Sequence, residues 1–371
     1  MTQDPRNQDR SMSPAEILND RIEEIDLELI RRIADRKKLV HQLLSQAPNN
    51  PVARMTTSSQ RIEKLLQDSS DQNPTEENLS KETLGSILKH ISSACIQSHQ
   101  VRSAAYLGPL HSYSHLAALK YFGDSTPLRP VASIRAVFES VARGDLPYGV
   151  VPIENSTDGR VVDTLGMFVH CEMNVCGEVL LPIHHNLLSR TQRQEIKEVH
   201  SKPQALSQCR DWLAKHLPNA RLVEISSTAA AAELAAQKHG VAAVASIEAG
   251  RQYDLEVLDS NIEDNPNNVT RFAVLGTDRP EPTGQDKTSL LFELHHRPGA
   301  LADSMSVFKA HSLNLTWIES FPTPESPNEY IFFVELAGHR SQAKVNHALS
   351  DLEKSVQRLT VLGSYPRATI H

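Results

Sequence analysis

The hydrophobic pattern of this 371-residue chain changes near residue 100. Before that point, apolar residues recur every three, four or seven positions, which predicts one long amphipathic helix. These residues are Leu18, Ile22, Ile25, Leu29, Ile33, Val40 and Leu43. After it, short β-branched runs alternate with Ala-rich stretches, a pattern typical of α/β structure. Because no single architecture satisfies both patterns, we predict separate domains.

The first segment, residues 1–100, is predicted to be all-α. A helix start is indicated by Ser13 as the N-cap, Pro14 at the first helical position and Glu16 at the third, where its carboxylate can bond back to the N-cap N–H. We predict a second, short helix at Ile62–Leu66 and a last helix at Ser80–Gln97. Since three helices alone enclose little core, we expect them to pair with a second chain.

The remainder divides into an α/β domain at 103–278 and an α+β domain at 287–365. For the first, we predict strands at 148–153, 175–183, 222–225, 241–245 and 272–275, and helices at 115–121, 203–217 and 228–238. For the second, we predict strands at 288–294, 313–321, 330–335 and 356–362, and helices at 299–310 and 342–353. This last order is β-α-β-β-α-β.

Composition excludes several classes of protein. No apolar stretch approaches the length of a membrane span, and Met1–Arg10 is polar, so we expect neither a membrane protein nor a secreted one. The four cysteines show no disulfide framework or metal-binding spacing, which fits the cytoplasm. Net charge is −7, with 38 basic against 45 acidic residues. Nucleic acid is therefore an unexpected partner.

Two polar runs in the second segment carry the chemistry. They are Val-Pro-Ile-Glu-Asn-Ser at Val151–Ser156 and Asn-Val-Thr-Arg-Phe at Asn268–Phe272. The fork of donors on Arg271 suits a carboxylate. Each run alone also fits a structural role: the second can lead into a strand, and the first can be a buried strand stopped by proline before a turn.

Further runs appear in a fixed order around these two. They are Gly108-Pro109 with Ser112-Tyr113-Ser114, then His200–Gln204, Ser227–Ala230 and Ala245–Ala249. Together the runs resemble the loops of prephenate dehydratase, except that His111 stands where the family usually has glycine. The resemblance implies a two-lobed α/β domain, like a periplasmic binding protein, with prephenate in the cleft and no cofactor or metal.

The resemblance also implies roles for individual residues. The reaction removes carbon dioxide and a ring hydroxyl from prephenate to give phenylpyruvate, on the route to phenylalanine. Thr270 would donate a hydrogen bond to the departing oxygen, backed by Glu154 or a water, and Arg271 would hold a carboxylate. We expect the remaining substrate-binding residues to be Asn155, Ser156, Ser112, Ser114, Gln204, Thr228 and Phe272.

The last domain resembles an ACT domain, a small amino-acid-binding module. The similarity rests on the β-α-β-β-α-β order and on Arg297-Pro298-Gly299-Ala300-Leu301. It implies feedback inhibition by phenylalanine, bound by Gly299, Ala300, Leu301, Glu319 and Ser320. The run Glu319-Ser320-Phe321-Pro322 departs from the family pattern, which has arginine at position 321.

The first segment resembles the chorismate mutase domain often fused to such dehydratases. Arg36 lies on the apolar stripe, where it is either a substrate contact, an internal ion pair or a snorkelling side chain. Ser93 and Gln97 match donor positions. Asn19, Ala47 and Ser58-Ser59 stand where the pattern has charged residues, so we expect a mutase-like fold with poor mutase activity or none.

Two rival functions use related substrates or a related fold. A prephenate dehydrogenase needs a Gly-x-Gly-x-x-Gly turn, and no Gly-x-Gly occurs in the chain, which excludes it. A non-catalytic amino-acid-sensing protein stays open, although it has no use for Thr270 together with Glu154. We expect a homodimer or homotetramer.

Overall fold

The computed structural model describes residues 14–46, 80–97, 103–322 and 330–369. The chain divides into two compact units, Met1–Val101 and Arg102–His371. Among the described residues, no helix combines the length and apolarity needed to cross a membrane.

The described helices are α1 (Pro14–Gln46), α2 (Lys81–Gln97), α3 (Tyr113–Phe122), α4 (Ile134–Ala142), α5 (Val162–His170), α6 (Pro203–Gln208), α7 (Arg210–His216), α8 (Thr228–Gln237), α9 (Ile247–Gln252), α10 (Ala300–Ala310) and α11 (Ala343–Ser355). The described strands are β1 (Ala104–Leu107), β2 (Leu128–Val131), β3 (Tyr148–Asn155), β4 (Gly159–Arg160), β5 (Val175–Pro182), β6 (Asn186–Ser189), β7 (Glu198–Ser201), β8 (Arg221–Glu224), β9 (Val241–Ala245), β10 (Glu256–Asp259), β11 (Val269–Gly276), β12 (Asp286–Glu293), β13 (Leu315–Pro322), β14 (Tyr330–Ala337) and β15 (Arg358–Pro366).

The first unit contains the predicted long helix α1 and last helix α2. They pack together near Val40 and Cys95, which are both buried. The stripe residues of α1 from Leu18 to Ile33 are solvent-exposed, from Leu18 at 66% to Ile33 at 37%. The described residues therefore cover only the last part of the predicted stripe. The predicted helix at 62–66 lies outside the described residues.

The second unit begins with a lobe built on one sheet in the order β2-β1-β3-β11-β5, with β4 paired to β3. One face is covered by α3, whose Ala117 and Phe122 pack with Tyr106 and Phe272. The opposite face is covered by α4 and α5. Strand β11 comes from far along the chain and pairs with both β3 and β5.

A second lobe has a sheet in the order β10-β6-β9-β7-β8. Helices α6 and α7 pack on one face and α8 and α9 on the other. The chain passes from the first lobe to the second after β5 and returns between β10 and β11. Two connections of this kind are typical of a pair of lobes with a cleft between them.

The third module has the predicted β-α-β-β-α-β order, with the sheet order β13-β14-β12-β15 and antiparallel neighbours. Its sheet packs directly on the first lobe. Leu291, Phe333 and Tyr365 of the module share one buried cluster with Phe138 and Phe168 of the lobe.

The module and the lobe approach each other closely at Gly363. A Cβ at this position would lie 2.1 Å from the carbonyl oxygen of Val175. Only glycine therefore allows β15 to cross β5 at this point.

The structure corrects the predicted helix at 203–217. It is two helices, α6 and α7, because Cys209 adopts φ −118° and ψ 17° and ends the first of them. Short elements such as β6, β7 and α9 were not predicted from the sequence. They are too short for periodicity to separate them from loops.

Candidate active site

The two polar runs that lie more than a hundred positions apart meet on neighbouring strands. In the antiparallel pairing of β11 with β3, Thr270 lies opposite Asn155 and Arg271 lies opposite Glu154. The register shifts just after Arg271, before Phe272 meets Pro152. The first run lies at the end of β3 and the second at the start of β11, so the antiparallel pairing places both at the same edge of the first lobe's sheet.

Thr270 has a defined hydrogen-bond partner. The side-chain amide of Asn155 donates to the Thr270 hydroxyl over 2.8 Å and also to the Asn268 side-chain oxygen over 2.8 Å. Since the Thr270 oxygen accepts this bond, its own hydrogen can point to another acceptor. A hydroxyl that accepts one hydrogen bond is a stronger donor in the next. This arrangement suits a group that polarises a departing oxygen.

The hydrogen-bond network continues into the second lobe through Gln208. Its side-chain oxygen accepts from Asn268 at 2.9 Å and lies 2.9 Å from His185 Nε2. Its amide donates to Asp158 at 2.8 Å. No local motif in the sequence singles out Gln208, Asp158 or His185, because their proximity arises from the fold.

The connection between the lobes is held by Glu263. One carboxylate oxygen accepts from the His185 backbone N–H and the other lies near His184 Nδ1, both at 2.8 Å. The hydroxyl of Tyr113, the first residue of α3, donates to the His184 carbonyl at 2.6 Å. Burial lowers the pKa of His185, although the nearby Gln208 and Glu263 favour its charged form.

The first loop of the lobe is ordered by short-range hydrogen bonds. Ser112 caps α3 by accepting from the His115 N–H, and its hydroxyl donates to the Leu107 carbonyl. His111 has a positive φ of 62°, and its N–H donates to His115 Nδ1 over 3.2 Å. Burial, together with His111, lowers the pKa of His115 to about 4. His115 is therefore neutral near pH 7.

Arg271 lies among carboxylates rather than at an open surface. Its terminal nitrogens donate to Glu154 at 2.8 Å and Glu335 at 2.6 Å, and one lies 3.4 Å from Glu178. Lys287 joins the same group, 3.1 Å from Glu178 and 3.6 Å from Glu335. Burial disfavours the charged guanidinium, but Glu335 and Glu178 outweigh it and raise the pKa of Arg271.

The other predicted substrate-binding residues occupy different environments. Ser156 accepts from the Val269 N–H at 2.9 Å and so joins the two signature runs. Thr228 is the first residue of α8, which Ser227 caps. Gln204 is exposed near the start of α6, and Ser114 is buried within α3.

Phe272 requires a correction. It is 1% exposed and packs in the core of the first lobe, so it supports the sheet and does not line the cleft. The residue two places before it on the same strand, Thr270, shares its face but lies at the strand end, where the core stops.

Comparison with known proteins places this site in a family. The family model for prephenate dehydratase matches residues 104–280. A protein of Aquifex aeolicus described as a bifunctional chorismate mutase/prephenate dehydratase is 38% identical over 365 residues, which cover 95% of this chain and 98% of that protein. The chain belongs to the bifunctional chorismate mutase/prephenate dehydratase family.

Solved structures share the fold of the second unit of this family member. A prephenate dehydratase from Arthrobacter aurescens, described in complex with L-Phe, has a TM-score of 0.67 at 33% identity and covers 71% of this chain and 90% of its own. A protein described as a novel type of quorum quenching acylase has a TM-score of 0.66 at 27% identity, with 72% and 98% covered. Since the fold occurs under two named activities, function must be argued from the site.

The predicted effector residues lie in two places, at the start of α10 and on the edge strand β13. Gly299 caps α10 in the left-handed conformation, φ 83°, with Ala300 buried and Leu301 partly exposed behind it. Glu319 lies on β13 and forms an ion pair with Arg160 of β4, in the dehydratase lobe. Glu319 and Ser320 are consecutive on β13, so their side chains face opposite sides of the sheet. The Arg160 guanidinium also lies 5.5 Å from the centre of the Phe321 ring.

In the mutase-like segment, Arg36 is half-buried between the two described helices. It donates to the Ser92 hydroxyl over 2.7 Å, beside the buried Ser93. The sequence prediction that Arg36 lies toward the helical core is consistent with this contact. The side chain of Gln97, as well as Ala47, Ser58 and Ser59, lies outside the described residues.

Proposed function

We propose that the cleft of the second unit binds prephenate and converts it into phenylpyruvate, carbon dioxide and water. The observation that carries the proposal is the Thr270 hydroxyl, which accepts a hydrogen bond from Asn155 at the edge of the two-lobed fold. The C–O bond to the ring hydroxyl breaks as the carboxylate carbon leaves, and one proton converts the departing hydroxide to water. The ring becomes aromatic, so no electron acceptor is required.

Thr270 acts by donating its hydroxyl hydrogen to the departing oxygen. Negative charge develops on this oxygen in the transition state, and a donor aimed at that charge stabilises the transition state more than the substrate. Asn155 positions the donor, because its amide occupies the Thr270 oxygen and restricts the direction of the O–H bond. A threonine is too weak an acid to transfer its proton outright, so this is polarisation by a hydrogen bond.

The two carboxylates of prephenate need donors because the chain as a whole is acidic. The beginnings of α3 and α8 supply them. Their first-turn N–H groups have no partner within the helix and lie at its positive end. Thr228, at the first position of α8, adds a hydroxyl, whereas the Ser112 hydroxyl already donates to the Leu107 carbonyl.

The Gln208 network holds the lobes around the substrate. Gln208 bonds to Asn268 and Asp158 of the opposite lobe, and Asn268 in turn accepts from Asn155, the partner of Thr270. Closure of this kind excludes water from a site where charge develops.

We propose that the third module is an ACT domain that binds phenylalanine and inhibits the dehydratase. The support is its β-α-β-β-α-β topology, the left-handed Gly299 before α10 and a relative solved with L-Phe. Binding at one site and catalysis at another are then linked by a coupling free energy.

We further propose that the first unit has a chorismate mutase fold and pairs with a second chain, giving a homodimer or homotetramer in the cytoplasm. The exposed apolar residues of α1 support pairing. The relative described as bifunctional covers this segment as well.

A direct assay tests the dehydratase. Purified protein is incubated with prephenate, and phenylpyruvate is followed by its absorbance in alkali. We expect steady formation by the wild-type chain. Binding of aromatic amino acids without any phenylpyruvate would instead identify the sensor that the sequence analysis left open.

A further inference from the structure

The Arg271 guanidinium is enclosed by protein. Both terminal nitrogens are committed to Glu154 and Glu335, and the buried Nε has no hydrogen-bond partner among the described residues. The Trp317 ring lies 5.1 Å from the guanidinium carbon. The side chain is only 14% exposed. A substrate carboxylate would have to displace an existing carboxylate to use the fork.

Arg271 also points away from Thr270. Consecutive residues of a strand face opposite sides of a sheet. Thr270 shares its side with Phe272, which packs with helix α3. Arg271 shares its side with Ala273, which belongs to the cluster that contains Phe333 of the third module. The arginine is thus on the regulatory side of the sheet and the threonine on the other.

We propose that Arg271 is a positioning residue that fixes strand β11, and therefore Thr270, by anchoring the strand to Glu335 of the third module. The inference rests on the proposed dehydratase function. It assigns to Arg271 a role different from the carboxylate binding that the sequence suggested. It also names a path between the module and the reacting group: Glu335, Arg271, then the backbone to Thr270.

The charge arrangement explains why the anchor is firm. Glu335 and Glu178 are almost fully buried, with side chains 0% and 2% exposed, and Arg271 and Lys287 are the cations beside them. Glu335 also accepts from the hydroxyl of Tyr365 at 3.2 Å. A buried carboxylate is costly unless cations and donors surround it. The guanidinium is therefore held in one place by a charge that belongs to another domain.

The test compares Arg271→Lys, Arg271→Ala and Glu335→Gln with wild type, in the full-length protein. Glu335→Gln is nearly isosteric and removes the anchor charge without touching the cleft. Arg135→Ala, an exposed arginine on α4 that pairs with Glu139, is the matched control. For each variant kcat, KM, the phenylalanine response and the thermal unfolding midpoint are measured.

We expect Arg271→Ala and Glu335→Gln each to lower kcat by about tenfold or more with KM changed by less than about threefold, and Arg271→Lys to recover part of kcat. The double variant Arg271→Ala/Glu335→Gln should be no worse in kcat than Arg271→Ala, because both act through one contact. Arg271→Ala and Glu335→Gln should each also weaken inhibition by phenylalanine. Arg135→Ala should match wild type.

The opposite kinetic pattern overturns the inference. If Arg271→Ala raises KM by about a hundredfold while Glu335→Gln is silent, Arg271 binds substrate directly. Should Arg271→Ala fail to fold, Glu335→Gln still decides, since a folded variant with unchanged kcat and unchanged inhibition rejects the anchor. A wild-type chain that forms no phenylpyruvate rejects the proposed function itself, which the first assay distinguishes.

Discussion

Asn155 and Thr270 face each other across paired strands, and the amide of Asn155 donates to the Thr270 hydroxyl over 2.8 Å. One residue comes from each signature run, so a hydrogen bond joins the two runs although 115 positions separate these residues. The pairing leads to the first prediction.

Thr270→Ala should lower turnover by ~10²-fold or more, the usual loss on removing one aimed donor. Thr270→Ser keeps the hydroxyl and should retain much of the activity. Thr277→Ala, an exposed threonine just beyond the same strand, is the control. Steady-state assays with prephenate give the comparison. Near-native turnover in Thr270→Ala would make the leaving-group role of Thr270 wrong.

Phenylalanine should bind to the full-length protein and inhibit the dehydratase, even though Phe321 departs from the family pattern. Calorimetry at millimolar phenylalanine should show heat, together with reduced activity. We expect binding to require two paired modules, so dilution into monomers should abolish it. Absence of any heat would leave the third module as an element of dimerisation only.

Gly299→Ala should weaken phenylalanine binding by about tenfold, because a side chain in the left-handed conformation costs ~1–2 kcal/mol and the turn should relax away from it. Gly284→Ala is a matched control. It has a similar φ of 91° and, like Gly299, open space around a Cβ, but it lies outside the turn. Equal losses of binding in both variants would contradict a specific role for the Gly299 turn.

The first unit should show chorismate mutase activity far below the dehydratase activity. Each missing charge-assisted contact with a buried dianion costs ~1.5–3 kcal/mol. Consumption of chorismate, compared with Arg36→Ala and with the exposed control Arg32→Ala, measures it. The prediction is wrong if the mutase activity equals the dehydratase activity and Arg36→Ala abolishes it. Other basic residues of the first segment, such as Arg54 or Arg61, would then replace the charges missing at Asn19, Ala47 and Ser58-Ser59.

Acidification should destabilise the second unit through His115. Its folded pKa of about 4 lies below the ordinary value of 6.5. The unfolded chain therefore binds the proton more readily between pH 6.5 and 4, and the stability present above pH 6.5 is lost as pH falls through that window. The loss is at most about 3 kcal/mol. His115→Gln should flatten this part of a plot of unfolding midpoint against pH; an unchanged slope would assign it to other groups.

Much of the architecture could be predicted because it depends on residue patterns within single helices and strands. The start and length of α1 follow from spacing, and β9 was predicted with its observed bounds, Val241–Ala245. The β-α-β-β-α-β order of the third module was confirmed, although its last strand begins later and extends to Pro366. Such features depend on periodicity within a single element.

What the sequence could not supply depends on contacts between distant elements. Gln208 lies near Asn268 only because two lobes meet, and Glu335 reaches Arg271 only because a separate module packs on the sheet. Strand alternation could have warned that Thr270 and Arg271 face opposite sides. It could not have shown that the terminal nitrogens of Arg271 donate to Glu154 and Glu335.

The crossing of β15 and β5 at Gly363 bears on how this enzyme can be dissected. The module and the lobe come so close there that backbone meets backbone, and their aromatic residues share one interior. Cutting the chain between them would expose that interior to solvent on both fragments, and large exposed apolar surfaces favour aggregation. A variant that phenylalanine no longer inhibits is therefore better sought by point substitution than by removal of the third module.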